Sequence, residues 1–397
     1  MDVSLLTPEH SQRRAAVCLA AGMGRFFARA TRGIEWIAAA EITGRGDGTV
    51  HDLGHREVHF SAPSPVPLGA LRTVDDVFAW AGRVGGMGRE RSSLGTLARL
   101  PGPDVAGAVA AVAALRPVPD RARFDVTASF LGRRNYNRYE IEDAAGDALA
   151  RATGGEYVAR QGASGPAGDT VLSWRVHLRD DQAILGLRLA PRPLHRRAAE
   201  WATVPGSLHP PVAAALVLLA GVVPGQWLGD PFCGSGTILA EYLHLAATGR
   251  AAGVDAGAEA VAAARANLVA AGCGDRALVA RGDAAALPLR PDGLDVVVTN
   301  PPWGRAVARP ASEPTAWRRI GDSLGRSGRL VVLAEPPQPA PPPGWAGPVL
   351  SFGPLSVSGS KPQVLVFTRP GDPGGGLPPP EALLAPELAR FAPHVGG

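Results

Sequence analysis

The segment Leu294-Asp295-Val296-Val297-Val298-Thr299-Asn300-Pro301-Pro302-Trp303-Gly304 runs an apolar strand directly into an Asn-Pro-Pro-Trp turn. Pro301 and Pro302 fix the backbone and carry no N–H donors, so the nearby carbonyls face no such competition. A turn of this kind can aim the Asn300 amide oxygen and the Pro301 carbonyl at one exocyclic amino group. Accepting both amine hydrogens pulls the nitrogen lone pair out of conjugation with its ring, which makes the nitrogen nucleophilic toward an electrophilic methyl group. Trp303 can stack on a base turned out of its helix.

A second chemistry-bearing stretch lies upstream, Leu228-Gly229-Asp230-Pro231-Phe232-Cys233-Gly234-Ser235-Gly236-Thr237, between a short strand and a helix over 237–248. Its glycines let the backbone approach a ligand, and the helix start offers unpaired N–H groups. A tight structural turn would use the same glycines. The Gly-Lys-Ser/Thr of a P-loop is missing, which argues against nucleoside triphosphate cleavage. A strand over 251–254 then ends in Asp255, at the spacing where a ribose diol is gripped; a dinucleotide-binding dehydrogenase shares that feature. A strand over 277–281 leads to Gly282-Asp283, whose carboxylate could accept from an adenine amine. Taken singly, either acid could be a solvated loop residue. The order of glycine turn, acid, acid and Asn-Pro-Pro-Trp within one stretch of chain is what makes the set specific. Cys233 has no basic neighbour in sequence to activate it as a nucleophile.

Other elements must position these groups. From Pro210 onward strands alternate with helices, as in a parallel α/β sheet, beginning with a helix over 212–220 for which His209 stands in a capping position. The last strand pair is expected at 355–357 and 363–368, after a Pro-rich surface loop over 336–348. The first half reads as α+β. Strands are expected at 26–30, 49–53, 57–61, 123–129, 171–178 and 183–189, and helices at 33–43, 105–115 and 141–152. Residues 79–80 and 94–100 resist assignment. The stretch 188–197 is a basic linker, with no acid between Asp181 and Glu200.

Composition narrows the classes. The chain has 397 residues, 46% hydrophobic, with Gly 50, Pro 38 and a formal charge of +4. This apolar content excludes a fully disordered chain, and the small net charge excludes a histone-like polycation. Lys361 is the single lysine, so anion recognition must use arginine forks, which bind phosphate bidentately and stack on bases. Cys18, Cys233 and Cys273 form neither a disulfide framework nor a zinc motif, and a reducing, cytoplasmic setting is the expectation. Neither a signal peptide nor a membrane-spanning run is read in the sequence.

On these motifs, residues 205–369 resemble a class I S-adenosylmethionine-dependent methyltransferase that modifies exocyclic amines of nucleobases. The resemblance implies a seven-stranded Rossmann-like α/β sheet with a reversed last hairpin. It also implies a cofactor site at Asp230, Phe232, Gly234, Ser235, Gly236, Thr237, Asp255, Asp283 and Asn300, and catalysis at Asn300, Pro301, Pro302 and Trp303. Gly229 departs from the pattern, standing where an aliphatic residue is usual. Residues 123–197 resemble a THUMP RNA-binding domain through Phe124-Asp125-Val126-Thr127, Gly132-Arg133-Arg134-Asn135-Tyr136, Leu185-Gly186-Leu187 and Pro193-Leu194-His195-Arg196-Arg197. Residues 26–35 resemble the small domain that precedes THUMP in such enzymes.

The implied organisation is an extension over 1–24, a ferredoxin-like domain over 25–100, a THUMP domain over 101–190, a linker over 191–206, a methyltransferase domain over 207–369 and a Pro/Gly-rich tail over 370–397. The family in question is the THUMP-containing RNA (guanine-N2)-methyltransferases, acting on tRNA, with relatives acting on large-subunit rRNA. RNA, held at the tRNA acceptor end, would meet Arg133, Arg134, Tyr136, Arg138, Arg192, Arg196 and Arg197, although each could equally be an ordinary solvated or linker residue. No metal, no membrane and a monomer are expected. The alternatives are an adenine-N6 methyltransferase and a non-catalytic RNA-binding protein that keeps the fold. A nicotinamide dehydrogenase has no use for Asn-Pro-Pro-Trp.

Overall fold

Alternation of apolar and polar side chains builds the first half of the chain into one sheet. In the computed structural model, residues 22–159, 172–198, 200–304, 312–345, 347–357 and 359–368 are described. Most of the expected N-terminal extension, with Cys18, and the expected tail lie outside the described residues. The chain divides into two units. The first holds Glu41–Leu71, Asp76–Leu194 and the residues up to Arg29; the second holds Ala30–Ala40, Arg72–Asp75 and the chain from His195.

The strands of the first unit are β1 (Gly24–Arg29), β2 (Thr49–Gly54), β3 (Glu57–Ala62), β4 (Asp76–Gly85), β5 (Arg123–Phe130), β6 (Glu156–Tyr157), β7 (Leu172–Arg179) and β8 (Gln182–Arg188). They form an eight-stranded sheet in the order β2-β3-β1-β4-β8-β7-β5-β6. Residues expected to form two small domains, 25–100 and 101–190, therefore contribute to a single sheet, joined where β4 pairs antiparallel with β8. Residues 79–80, left unassigned from sequence, lie inside β4, and 94–99 lie in a 3₁₀ segment, Arg91–Arg99.

Register sets the character of the two faces. Phe26 pairs with Phe60 and Ala79 on one face, which is apolar and buried. Phe27 pairs with His59 and Phe78 on the other, and Arg29 with Glu57 and Asp76, so that face carries stacked rings and ion pairs.

The helices α1 (Glu35–Arg45), α2 (Asp104–Ala113) and α3 (Arg138–Thr153) complete this half. The last starts a turn earlier than its apolar periodicity suggests. Asn137 and Glu140 form a reciprocal capping box, and Gly154 closes the far end at φ 69°.

In the second unit, long apolar runs make a sheet buried on both faces. Its strands are β9 (Trp227–Asp230), β10 (Arg250–Asp255), β11 (Ala277–Arg281), β12 (Leu294–Thr299), β13 (Leu324–Ala334), β14 (Leu350–Phe352) and β15 (Gln363–Thr368), with helices α4 (Pro210–Leu219), α5 (Thr237–Leu245), α6 (Ala258–Ala270) and α7 (Glu313–Ser323). The order is β11-β10-β9-β12-β13-β15-β14. The first five run parallel, and β15 is antiparallel to both neighbours.

The hairpin partner of β15 is β14 at Leu350–Phe352, not the expected 355–357. Leu355 instead donates its amide to Pro362, and Val357 bridges to Ser360, so this stretch folds into a tight loop. Gly229 belongs in β9 because a Cβ there would lie 2.3 Å from Leu294 Cδ1 on the neighbouring strand. No described helix is long and apolar enough to cross a membrane.

Candidate active site

The carboxyl ends of β9, β10, β11 and β12 face one cavity of about 590 Å³. Beyond β9 the chain turns through Phe232-Cys233-Gly234-Ser235-Gly236 into α5. Gly236 sits at φ 77°, and a Cβ there would lie 3.0 Å from Ala264, so conformation and space both demand glycine. Asp255, at the end of β10, accepts the Gly234 amide at 2.9 Å on one oxygen and the Gly257 amide at 2.8 Å on the other. It thereby fixes the glycine turn, and a carboxylate still has lone pairs for a hydroxyl ligand. Asp283 accepts the Ala285 amide at 2.9 Å and caps the short turn Ala284–Ala286.

Asp230 is buried. Its Oδ1 accepts from Thr299 Oγ1 at 2.7 Å and from the Phe232 amide at 3.1 Å. Burial pushes its carboxyl up to about 7; nearby Asp255 adds to this, and the two hydrogen bonds oppose it. Burial likewise raises the Cys233 thiol, with Asp230 and Asp255 reinforcing the effect, so the thiol is held protonated.

From β12 the Asn-Pro-Pro-Trp turn enters the cavity wall. Asn300 Nδ2 faces the Gly206 carbonyl at 3.4 Å, while its Oδ1 is shielded from solvent and accepts no hydrogen bond from the described residues. The Trp303 indole donates to the Leu333 carbonyl at 3.1 Å, which fixes its ring.

Every residue expected to touch cofactor or target base lines this cavity except Gly236, which shapes the turn from behind. Two parts of the wall carry no sequence motif of a site: Thr203–Leu208, which spans the expected linker and the approach to a helix, and Val357 and Ser360, which span an expected strand and its turn. The Pro205-Gly206 turn before α4 was the available signal for the first.

The arginines expected to meet RNA divide by environment. Arg133, Arg138, Arg192 and Arg196 are exposed, and Arg138 lies 4.6 Å over the Tyr139 ring. Arg134 is occupied within its own unit, donating to the carbonyls of Met87, Gly88 and Asp180 and to the Tyr136 hydroxyl. Tyr136 is buried, its hydroxyl donating to the Gly88 carbonyl. Arg197 is nearly buried and binds Glu241 Oε1 at 2.7 Å and the Arg72 carbonyl.

His209 precedes α4, but its side chain does not cap that helix. Its Nε2 bonds Asp75 Oδ1 at 2.6 Å instead, and His195 lies beside it with a ring separation of 5.2 Å. This cluster of possible metal ligands, the only one among the described residues, joins three remote segments, so no local spacing could announce it.

Five parallel strands, a reversed final hairpin and a cavity at the strand carboxyl ends define the α/β class I methyltransferase fold. Residues 197–336 match the family model described as RMKL-like, methyltransferase domain. A curated relative from Thermus thermophilus, tRNA (guanine(6)-N2)-methyltransferase, is 34% identical over 210 residues, 52% of this chain and 60% of that protein. The tRNA (guanine(10)-N2)-dimethyltransferase of Methanothermobacter thermautotrophicus is 39% identical over 136 residues, 33% of this chain and 39% of that protein. The chain thus spans less than two thirds of the length of either curated relative. Among solved structures, TrmN from Thermus thermophilus superposes with a TM-score of 0.65 at 27% identity, covering 87% of this chain and 99% of that one.

Proposed function

We propose that this protein is an S-adenosylmethionine-dependent RNA methyltransferase acting on the exocyclic N2 of a guanosine in tRNA. The observation that carries the reading is that Asn300, Pro301 and Trp303 line one cavity together with Asp230, Asp255 and Asp283. The matched methyltransferase domain and the names of the tRNA-modifying relatives support the substrate class.

Asp230 would receive the ammonium of the methionine moiety, Asp255 the ribose hydroxyls and Asp283 the adenine amine. Bound there, S-adenosylmethionine supplies an electrophilic methyl group. Asn300 Oδ1 and the Pro301 carbonyl accept the two hydrogens of the guanine amine and turn its lone pair out of conjugation, Pro302 holds the turn, and Trp303 stacks on the base. Catalysis is then positioning and electrostatics, with no covalent enzyme adduct. We read the first unit as a THUMP-type RNA-holding half, with Arg133, Arg138 and Arg192 as its phosphate and base contacts, and Arg196 of the second unit as a further phosphate contact. Arg134, Tyr136 and Arg197 serve instead to build the structure. The setting is cytoplasmic and the enzyme a monomer.

Radiolabelled methyl transfer to tRNA, followed by nucleoside mass spectrometry, tests this reading. N2-methylguanosine is the expected product. Asn300→Ala should lower the rate by about 100-fold or more, as removal of a pre-aimed polar group does, while cofactor binding persists. Undiminished transfer in that variant overturns the role of Asn300, and N6-methyladenosine as product overturns the choice of base.

A further inference from the structure

The Thr203–Leu208 wall is a connecting segment, yet it carries the carbonyl that faces Asn300. One side chain on α6 anchors its leading end. Asn267 is 1% exposed. Its Oδ1 accepts the Ala202 amide at 2.8 Å, and its Nδ2 donates to the Ala202 carbonyl at 2.8 Å and the Ser235 carbonyl at 2.9 Å. A single amide thus ties the connecting segment to the glycine turn, using one acceptor and both donors.

Ser207 makes a second tie. Its hydroxyl accepts the Val204 amide at 2.8 Å and bonds the Ser235 hydroxyl at 2.9 Å. The segment so held presents Gly206 O to Asn300 Nδ2. Facing a carbonyl, only the NH₂ end of the Asn300 amide can bond; the opposite orientation would set two acceptors against each other. The Gly206 carbonyl therefore fixes which end of the Asn300 amide turns toward it.

We propose that Asn267 is a positioning residue for methyl transfer, clamping residues 202–207 to the glycine turn so that Gly206 orients the Asn300 amide. This rests on the proposed methyltransferase reading. Aspartate cannot replace it, because a carboxylate would oppose the carbonyls of Ala202 and Ser235 and donate to neither.

The test uses the full chain and compares Asn267→Ala, Asn267→Asp and Ser207→Ala with the parent. Four quantities are measured: kcat and KM for tRNA methylation, cofactor affinity by calorimetry, thermal midpoint, and amide hydrogen exchange. Asn267→Ala should lower kcat about 100-fold through misplacement of the acceptor. Cofactor affinity should stay within about threefold, a split expected when an interaction acts only on the reacting geometry. The Ala202 and Val204 amides should exchange faster, with Cys233 and Gly236 unchanged, and Asn267→Asp should not rescue.

Unchanged exchange over 202–207, unchanged kcat, rescue by aspartate, or a parallel loss of kcat, cofactor affinity and thermal midpoint would each overturn the proposal. Should Asn267→Ala not fold, Ser207→Ala decides: it should lower kcat about tenfold with faster Val204 exchange, and no change in either overturns the clamp. A parent enzyme that methylates no RNA sinks the functional reading instead, and the exchange comparison still reports on the clamp by itself.

Discussion

Asp230 holds a proton more tightly in the fold than in solution. The gain belongs to the neutral form, so its consequence for ligand binding depends on pH. In the unfolded chain the carboxyl titrates near 3.8, and in the folded chain near 7. A cationic ammonium needs the ionised form, so below about 7 binding must first expel the proton. Cofactor affinity should therefore rise with pH, by about tenfold between pH 6 and 8, and level off above. Asp230→Asn should abolish that dependence and weaken binding about 10- to 100-fold, the range of a charge-assisted hydrogen bond. Calorimetric titration across this range checks it, and a pH-independent parent would contradict the assignment.

At this scale the cavity residues were legible because their types recur at fixed offsets after strand ends. Arg134 and Arg197 have partners within the fold, because a guanidinium serves unpaired carbonyls and a buried acid as readily as it serves phosphate. Nothing in the local sequence reveals that Met87, Asp180 and Glu241 lie within reach.

Among the elements, β9 shows how a neighbour sets a residue choice. This strand is only four residues long, and Leu294 fills the space that a side chain at Gly229 would need. Gly229→Ala should cost about 1–3 kcal/mol, the usual penalty for overpacking a core. Leu294→Ala alone should cost about 2–5 kcal/mol as a cavity. Because the new methyl enters the space that leucine vacates, the double variant should be more stable than the sum of the two penalties allows. Denaturant unfolding of the four proteins gives the coupling directly, and strict additivity would show that the two sites do not share a space.

Strand and helix identities in this half followed from apolar runs and punctuation. The hairpin did not, because Leu355 and Val357 alternate like a strand while Pro354 and Pro362 lack the amides a ladder needs. The loop they form instead gives Val357 and Ser360 to the cavity wall.

Over the whole molecule, Glu57 in the first unit and Asp230 in the second are buried in different ways, and their contributions to the acid response should differ in sign. In the first unit Glu57 is fully buried and bonded to Arg29 at 2.8 Å and His59 at 3.3 Å, with His177 at 3.6 Å. Burial alone would raise its carboxyl, but the His59 hydrogen bond and the surrounding positive charges prevail and hold it at about 2, below an ordinary 4.5. The folded state therefore favours the ionised form. Its contribution to stability is complete above pH 4.5 and disappears as pH falls through about 2; it amounts to on the order of 3 kcal/mol. Asp230, in the second unit, has the opposite sense. Its raised pKa stabilises the folded chain at low pH, and that contribution is lost as pH rises from 3.8 to about 7.

Glu57→Gln should thus destabilise by about 3–5 kcal/mol near neutrality, as breaking a buried ion pair does, with a deficit that shrinks below pH 4.5. Asp230→Asn should gain relative to the parent as pH rises from about 4 to 7. Unfolding of both variants and the parent, followed at pH values from about 2.5 to 7.5, measures the two difference curves. Curves of the same slope would mean that the two carboxyls are not the opposed titrating groups described here. Opposite slopes would establish that buried carboxyls such as these two, and not the net charge of +4 alone, shape the acid response of this protein.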